Sequence, residues 1–277
     1  MTDSVPEPPT TLGTRPTTGG VTLLTPPAPL AHLAWRDLMV AAVVEETADA
    51  RSLVLDAPHW PGHVAGQHVD VRLTAPDGYQ ATRSYSLSSG PGEAPTITVQ
   101  EVEDGEVSTY LVRDIAVGDT LGVRGPIGGY FVWGGAHRPL LLVGGGSGLA
   151  PLRAMWRAAD PAAPVVVLAS VTTPTRLLYA DELADRVRAG TAAATVHVSR
   201  AELPPDAVRP GTPLEALTLR SGRVDTASVK AAVAACGGPD ADPAVFVCGP
   251  TSFVEALVGQ LAAAGLDPRA VRAERFG

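Results

Sequence analysis

The chain has 277 residues, 45% of them hydrophobic and 18% charged, with a formal net charge of -8. That length suits two domains with packed cores, and the apolar share excludes a wholly disordered chain. The acidic balance, without any run of Lys and Arg, excludes a nucleic-acid footprint. Two cysteines are too few for a disulfide framework, a four-cysteine zinc site or an iron–sulfur cluster, so no metal site is expected.

Residues 1–34 carry seven prolines and many threonines without apolar periodicity, the composition of a mobile tail. There is no basic segment followed by an apolar one, and no stretch nears the roughly 18 apolar residues of a membrane span. A cytoplasmic protein without a membrane span is expected. Over residues 35–135, short β-rich runs (39–45, 51–55, 68–73, 96–102 and 120–123) alternate with turn signals such as Pro61-Gly62, Asp77-Gly78 and Val117-Gly118-Asp119. This pattern predicts an antiparallel β-barrel or sandwich. Past Gly134 the rhythm changes: Leu140 to Val143 and Val165 to Ala169 are continuous apolar runs, each followed by a helix-like stretch. Further strands are expected at 196–199, 244–248 and 270–272, and helices near 179–187, 226–235 and 253–264. Residues 136–277 therefore read as an α/β domain with a parallel sheet.

Three segments carry chemistry. Strand alternation in Arg83-Ser84-Tyr85-Ser86 sends Arg83 and Tyr85 to one face and the two serines to the other. A guanidinium there suits phosphate oxygens and an aromatic face suits a flat ring. Gly105-Glu106-Val107-Ser108 opens a helix whose first amides can cradle an anion, although Ser108 also suits a plain N-cap. Next, Leu141 to Pro151 is a buried strand, a glycine turn (Gly144, Gly145, Gly146, Ser147, Gly148) and a helix start, a geometry that lets backbone approach a pyrophosphate. A nucleophile elbow centred on Ser147 needs glycine at 149, which is leucine, so a hydrolase loses its motif. The last strand-to-helix junction, Val245 to Thr251, ends in Cys248-Gly249-Pro250. Parallel strands bind ligands at their carboxyl ends, which favours Cys248 for a site, while Cys236 suits simple packing. His59 and His63 flank Trp60-Pro61-Gly62, which forbids a helical metal pair.

Taken in order, these segments resemble the ferredoxin–NADP reductase superfamily over roughly residues 36–277. Arg83-x-Tyr85-Ser86 looks like its flavin signature, preceded by a Gly66-Gln67 strand start. Gly146-x-Gly148-x-x-Pro151 matches its proline variant of the dinucleotide turn. The resemblance implies a FAD enzyme in which Arg83, Ser84, Tyr85, Ser86, Gly105, Val107 and Ser108 hold the flavin. Gly145, Gly146, Ser147 and Gly148 would hold a nicotinamide nucleotide, with Cys248, Gly249 and Pro250 beside its nicotinamide. The carboxyl end, Glu274 to Phe276, resembles the family's terminal strand, which returns an acid and an aromatic residue toward the flavin. Ser86, Cys248 and Glu274 are the residues expected at hydride transfer, tuning geometry and polarity. Many relatives continue into a ferredoxin-like domain where this chain stops.

NADP(H) is the expected nucleotide, with NAD(H) as the alternative. No acid follows the second strand at Ser170 to Thr173, while Ser199, Arg200 and Arg223 resemble phosphate-contacting positions. Thr172 departs from the arginine of some NADP-using relatives. The implied activity is electron transfer from NADPH through FAD to a separate protein: a ferredoxin, a haem protein or another metalloenzyme. The rivals are a noncatalytic flavin-holding subunit of a larger complex and a nucleotide-binding regulator without flavin.

Overall fold

The computed structural model describes residues 33–200, 203 and 208–276. All but the last two residues of the expected tail lie outside this range. Within it, six strands, β1 (Arg36–Thr47), β2 (Ala50–Asp56), β3 (His68–Thr74), β4 (Gln80–Ser86), β5 (Thr96–Gln100) and β6 (Thr120–Ile127), form an antiparallel sheet in the order β4-β3-β6-β1-β2-β5. A bridge between Leu87 and Ile97 draws the two edge strands together and curls the sheet toward a barrel. Alternation points Val69 and Val71 of β3, Leu53 and Leu55 of β2, and Leu121 and Val123 of β6 into one core. Helix α1 (Glu106–Arg113) adds Val107, Leu111 and Val112 to it, a spacing that falls on one helical face.

The second sheet is parallel. Its strands are β7 (Leu140–Gly145), β8 (Val165–Val171), β9 (Ala193–Val198), β10 (Thr218–Ser221), β11 (Ala244–Pro250) and β12 (Val271–Phe276), in the order β10-β9-β8-β7-β11-β12. Helices α2 (Leu149–Arg157) and α3 (Ala180–Arg188) cover one face; α4 (Thr226–Ala235) and α5 (Thr251–Ala263) cover the other. In β7, Leu140 and Leu142 pack toward α2 and α3, while Leu141 and Val143 pack toward α4 and α5. Burial on both faces explains the unbroken apolar runs. Strand order reverses between β7 and β11, which makes their carboxyl ends the topological switch point where open α/β sheets bind ligands.

The two sheets meet through Phe131 and Trp133. Both rings stand edge-on to Phe246 of β11, with centroids 5.4 and 6.1 Å away. Strand β10 was absent from the sequence expectation. Its four residues, Thr218 to Ser221, are mostly exposed and form no apolar run, and they gain their hydrogen bonds as an edge beside β9.

Candidate functional site

A cavity of about 740 Å³ opens at the carboxyl ends of β7, β8, β9 and β11, within the size range of small-molecule sites. Gly145, Gly146, Ser147, Ser199, Arg200, Arg223, Pro250 and Phe276 line it, so five separate segments of the chain converge here. The opposite wall comes from the barrel: Asp49, Gln100, Glu101 and Val102. Asp49 receives Gln100 Nε2 at 3.1 Å and pairs with Arg176 of the α/β half at 3.4 Å, a cross-sheet contact with no sequence signature.

The glycines of the turn divide their work. Gly146 has φ +55°, and a side chain there would meet only Gln100 Oε1 at 3.4 Å, toward the cavity. Gly148 has no room for a Cβ because the Cys248 carbonyl presses against it. Gly145 and Gly249 straddle the Phe253 ring of α5, which an added Cβ would approach to 3.0 and 2.6 Å respectively. Glycine at 145, 148 and 249 thus lets strand ends pack tightly, and the ligand-facing freedom falls to Gly146. Phe253, which the sequence reading passed over, has only these two glycines as its signal. Neither the turn nor α2 has a side-chain cap, so no side chain claims the amides at this helix start.

Cys248 and Glu274 are register partners on β11 and β12 and do not line the cavity. Cys248 is 2% exposed. Burial, and then the nearby Glu274, hold its thiol well above the ordinary range, so it is neutral and no nucleophile. Burial also raises the Glu274 carboxyl.

The expected flavin residues gather on β4 and α1. Arg83 is exposed, and its guanidinium donates only to the adjacent Thr82 carbonyl, at 2.8 Å; it has no carboxylate partner among the described residues. Tyr85 lies half-buried against the barrel core, and burial pushes its hydroxyl up to about 12. Ser84 points to the outer face, where its hydroxyl donates to Asp70 at 2.6 Å, and Arg124 binds the other Asp70 oxygen at 2.5 Å. Ser86 is half-buried opposite His68. Val107 is a core side chain and can offer only its amide. The Ser108 hydroxyl accepts from Val102 N at 3.1 Å and donates to the Gly105 carbonyl at 3.2 Å, so it ties the turn together. The amides of Glu106, Val107 and Ser108 precede the first helical bond, from Thr109 to Gly105, and so have no acceptor within the helix. Val102 also lines the cavity, so this turn joins the flavin strand region to the cleft.

Two family models match the chain: an oxidoreductase FAD-binding domain over residues 37–132 and an oxidoreductase NAD-binding domain over residues 142–258. A Rhodococcus rhodochrous protein, the ferredoxin reductase component of 3-ketosteroid-9-alpha-monooxygenase, is 31% identical over 86% of this chain and 64% of its own length. The NADH oxidoreductase HCR of Escherichia coli is 34% identical over 56% of this chain and 48% of its own. The chain therefore spans between about half and just under two thirds of these relatives' lengths. The flavohem-like FAD/NAD-binding domain of a Vibrio cholerae nitric oxide dioxygenase shares the fold, with a TM-score of 0.71 at 23% identity over 87% of this chain and 98% of that one. Fold and matches define a two-domain flavoprotein oxidoreductase class that uses FAD and a nicotinamide nucleotide. The chain belongs to the ferredoxin–NADP reductase superfamily.

The residues present fit both groups. Arg83 offers an uncommitted guanidinium beside a ring-sized aromatic face. Arg200 and Arg223 line the cavity without carboxylate partners among the described residues.

Proposed function

We propose that this protein oxidises a nicotinamide nucleotide, preferentially NADPH, and passes the electrons through FAD to a separate acceptor protein. The observation that carries the reading is the cleft at the β7/β11 switch point, lined by the glycine turn and by Arg200 and Arg223, which have no carboxylate partner among the described residues, and closed by barrel residues. Arg83 and the α1 amides would hold the FAD pyrophosphate, Tyr85 would cover one ring face, and Ser84 and Ser86 would frame the strand. Gly145, Gly146, Ser147 and Gly148 would bring backbone to the nucleotide pyrophosphate, with Cys248, Gly249 and Pro250 closing the nicotinamide end. Phe276 would lie against the flavin. Bound FAD supplies the hydride-accepting chemistry and the conversion of an electron pair to single electrons. The chain's contribution is position and exclusion of water: Cys248 stays a neutral thiol and Glu274 holds a proton more readily than an exposed acid.

The nucleotide preference rests on Ser199, Arg200 and Arg223 at the cavity wall and on the absence of a carboxylate between Ser170 and Thr173. Acceptor identity follows the relatives' names only as far as a ferredoxin or oxygenase partner. The test is an absorbance spectrum of the purified protein before and after anaerobic NADPH, then steady-state NADPH oxidation with carriers added singly. Bleaching at 450 nm, a wavelength of about the flavin maximum, followed by carrier-dependent turnover is expected. Bound FAD that NADPH never bleaches would instead support a noncatalytic flavin-holding subunit. NADH as the better substrate would reverse the preference.

A further inference from the structure

Strand β9 alternates Val196 and Val198 onto the α2 and α3 face, which leaves His197 on the opposite face, toward α4. His197 is 2% exposed, and neither ring nitrogen makes a well-formed hydrogen bond among the described residues. A polar ring so deeply buried and unpaired is uncommon, because both nitrogens lose their water for nothing. Its surroundings are specific. In register, Ser170 of β8 stands on one side and Arg220 of β10 on the other, and Ser170 lines the cavity. Across the ring runs the Gly222–Asp225 turn, whose Gly222 and Arg223 carbonyls face the imidazole. The charged groups that face it are Asp225 of the turn and Arg220 of the neighbouring strand.

The turn is pinned on both sides of Arg223. Gly222 N donates to the Val198 carbonyl at 2.8 Å, and Asp225 Oδ1 accepts from Ser228 N at 2.8 Å to cap α4. Gln260 Nε2 reaches the Val224 carbonyl at 3.2 Å. Arg223, between these anchors, lines the cavity together with its neighbour Val224.

We propose that His197 is a positioning residue for nucleotide selection: it holds the Gly222–Arg223 peptides from below and so sets Arg223 over the ribose-phosphate end of the cleft. A neutral imidazole has one N–H to give, which suits one carbonyl of the turn. The inference rests on the reading that Arg223 meets a phosphate on the adenosine ribose. It adds a residue that no ligand touches, and whose effect is confined to ligands carrying that phosphate.

The experiment titrates the purified protein calorimetrically with adenosine 2′,5′-bisphosphate and, separately, with adenosine 5′-monophosphate. It uses wild type, His197→Leu, His197→Phe, His197→Asn and Arg223→Ala, and measures KM and kcat for NADPH alongside. His197→Leu is expected to weaken the bisphosphate about tenfold, the scale of one misplaced charge-assisted hydrogen bond, and to leave the monophosphate within about twofold. KM for NADPH should rise with kcat kept, and His197→Asn, which retains an N–H, should recover much of the loss. His197→Phe gives the same readout if the leucine variant does not fold. Wild-type bisphosphate affinity in the apolar variants, with Arg223→Ala impaired, would overturn the inference and leave the NADPH reading intact. Equal weakening of both ligands would mean a merely structural histidine and would also overturn it. An Arg223→Ala variant that binds the bisphosphate as wild type does would show that Arg223 meets no phosphate, and would remove the inference with it.

Discussion

Glu274 shows how one residue couples folding to the site. Its carboxyl is half-buried behind Cys248, and burial raises its pKa above the ordinary 4.5. The folded chain therefore binds this proton more tightly than the unfolded chain does. The associated stability is fully present below 4.5 and is lost as pH rises through the folded value. Glu274→Gln should accordingly raise the melting temperature near about pH 8 and change little near about pH 4, where wild type is protonated already. Thermal scans at the two pH values check this, and an equal gain at both would mean that the acid is not the cause. Arg83 is the opposite case, an exposed cation that takes no part in holding the fold. Arg83→Ala should leave the melting temperature of the flavin-free protein unchanged. It should release FAD with an affinity loss of about tenfold or more, the scale of lost phosphate contacts, as measured by flavin fluorescence after gel filtration.

At the scale of elements, the β7 turn separates two reasons for glycine. Gly148→Ala drives a methyl group into the Cys248 carbonyl, which is backbone and cannot swing aside. The turn and β11 must then part, at about 1 to 3 kcal/mol by the usual price of overpacking. Gly146→Ala meets no backbone, and its penalty of about 1 kcal/mol is that of φ +55° alone. Urea unfolding should rank Gly148→Ala well below Gly146→Ala, whereas nucleotide titration should find both impaired. The sequence made this turn legible as a dinucleotide motif, because strand, glycines and helix start are local patterns. It did not show that Gly145 and Gly249 make room for Phe253, a contact between segments more than 100 residues apart. Buried strands were legible through their unbroken apolar runs, but β10 was not, since it owes its pairing to a neighbour and not to composition. The Arg83-x-Tyr85-Ser86 strand was readable as a strand, while the engagement of Ser84 by Asp70 and of the Ser108 hydroxyl by its own turn depended on partners 14 residues away and on loop geometry.

For the whole molecule, the cleft exists only while the barrel stays seated on the α/β sheet, and a charged cluster that reaches from α2 and α3 to the barrel helps to seat it. Glu182 of α3 accepts Arg157 NH2 at 2.7 Å, Arg153 Nε at 2.8 Å and the indole Nε1 of buried Trp156 at 2.8 Å, and Arg157 reaches on to Glu93 of the barrel at 2.7 Å. Burial alone would raise the Glu182 carboxyl, but bonds from Arg157 and Trp156 and the charge of Arg153 outweigh it and bring it down to about 2. The sign is thus opposite to that of Glu274. Its stabilisation is present above the ordinary 4.5 and disappears as pH falls toward 2. Glu182→Gln keeps the shape, removes the charge and leaves two partly buried guanidinium groups short of a partner. A loss of about 2 to 3 kcal/mol at neutral pH is expected, somewhat under the cost of breaking a fully buried pair. Below pH 4.5 the wild-type curve should descend toward that of the variant, because protonation removes the same charge. Urea unfolding at stepped pH values measures the gap. A gap that stays constant from neutral pH down to about 2.5 would show that packing around Glu182, and not its charge, holds the two sheets together.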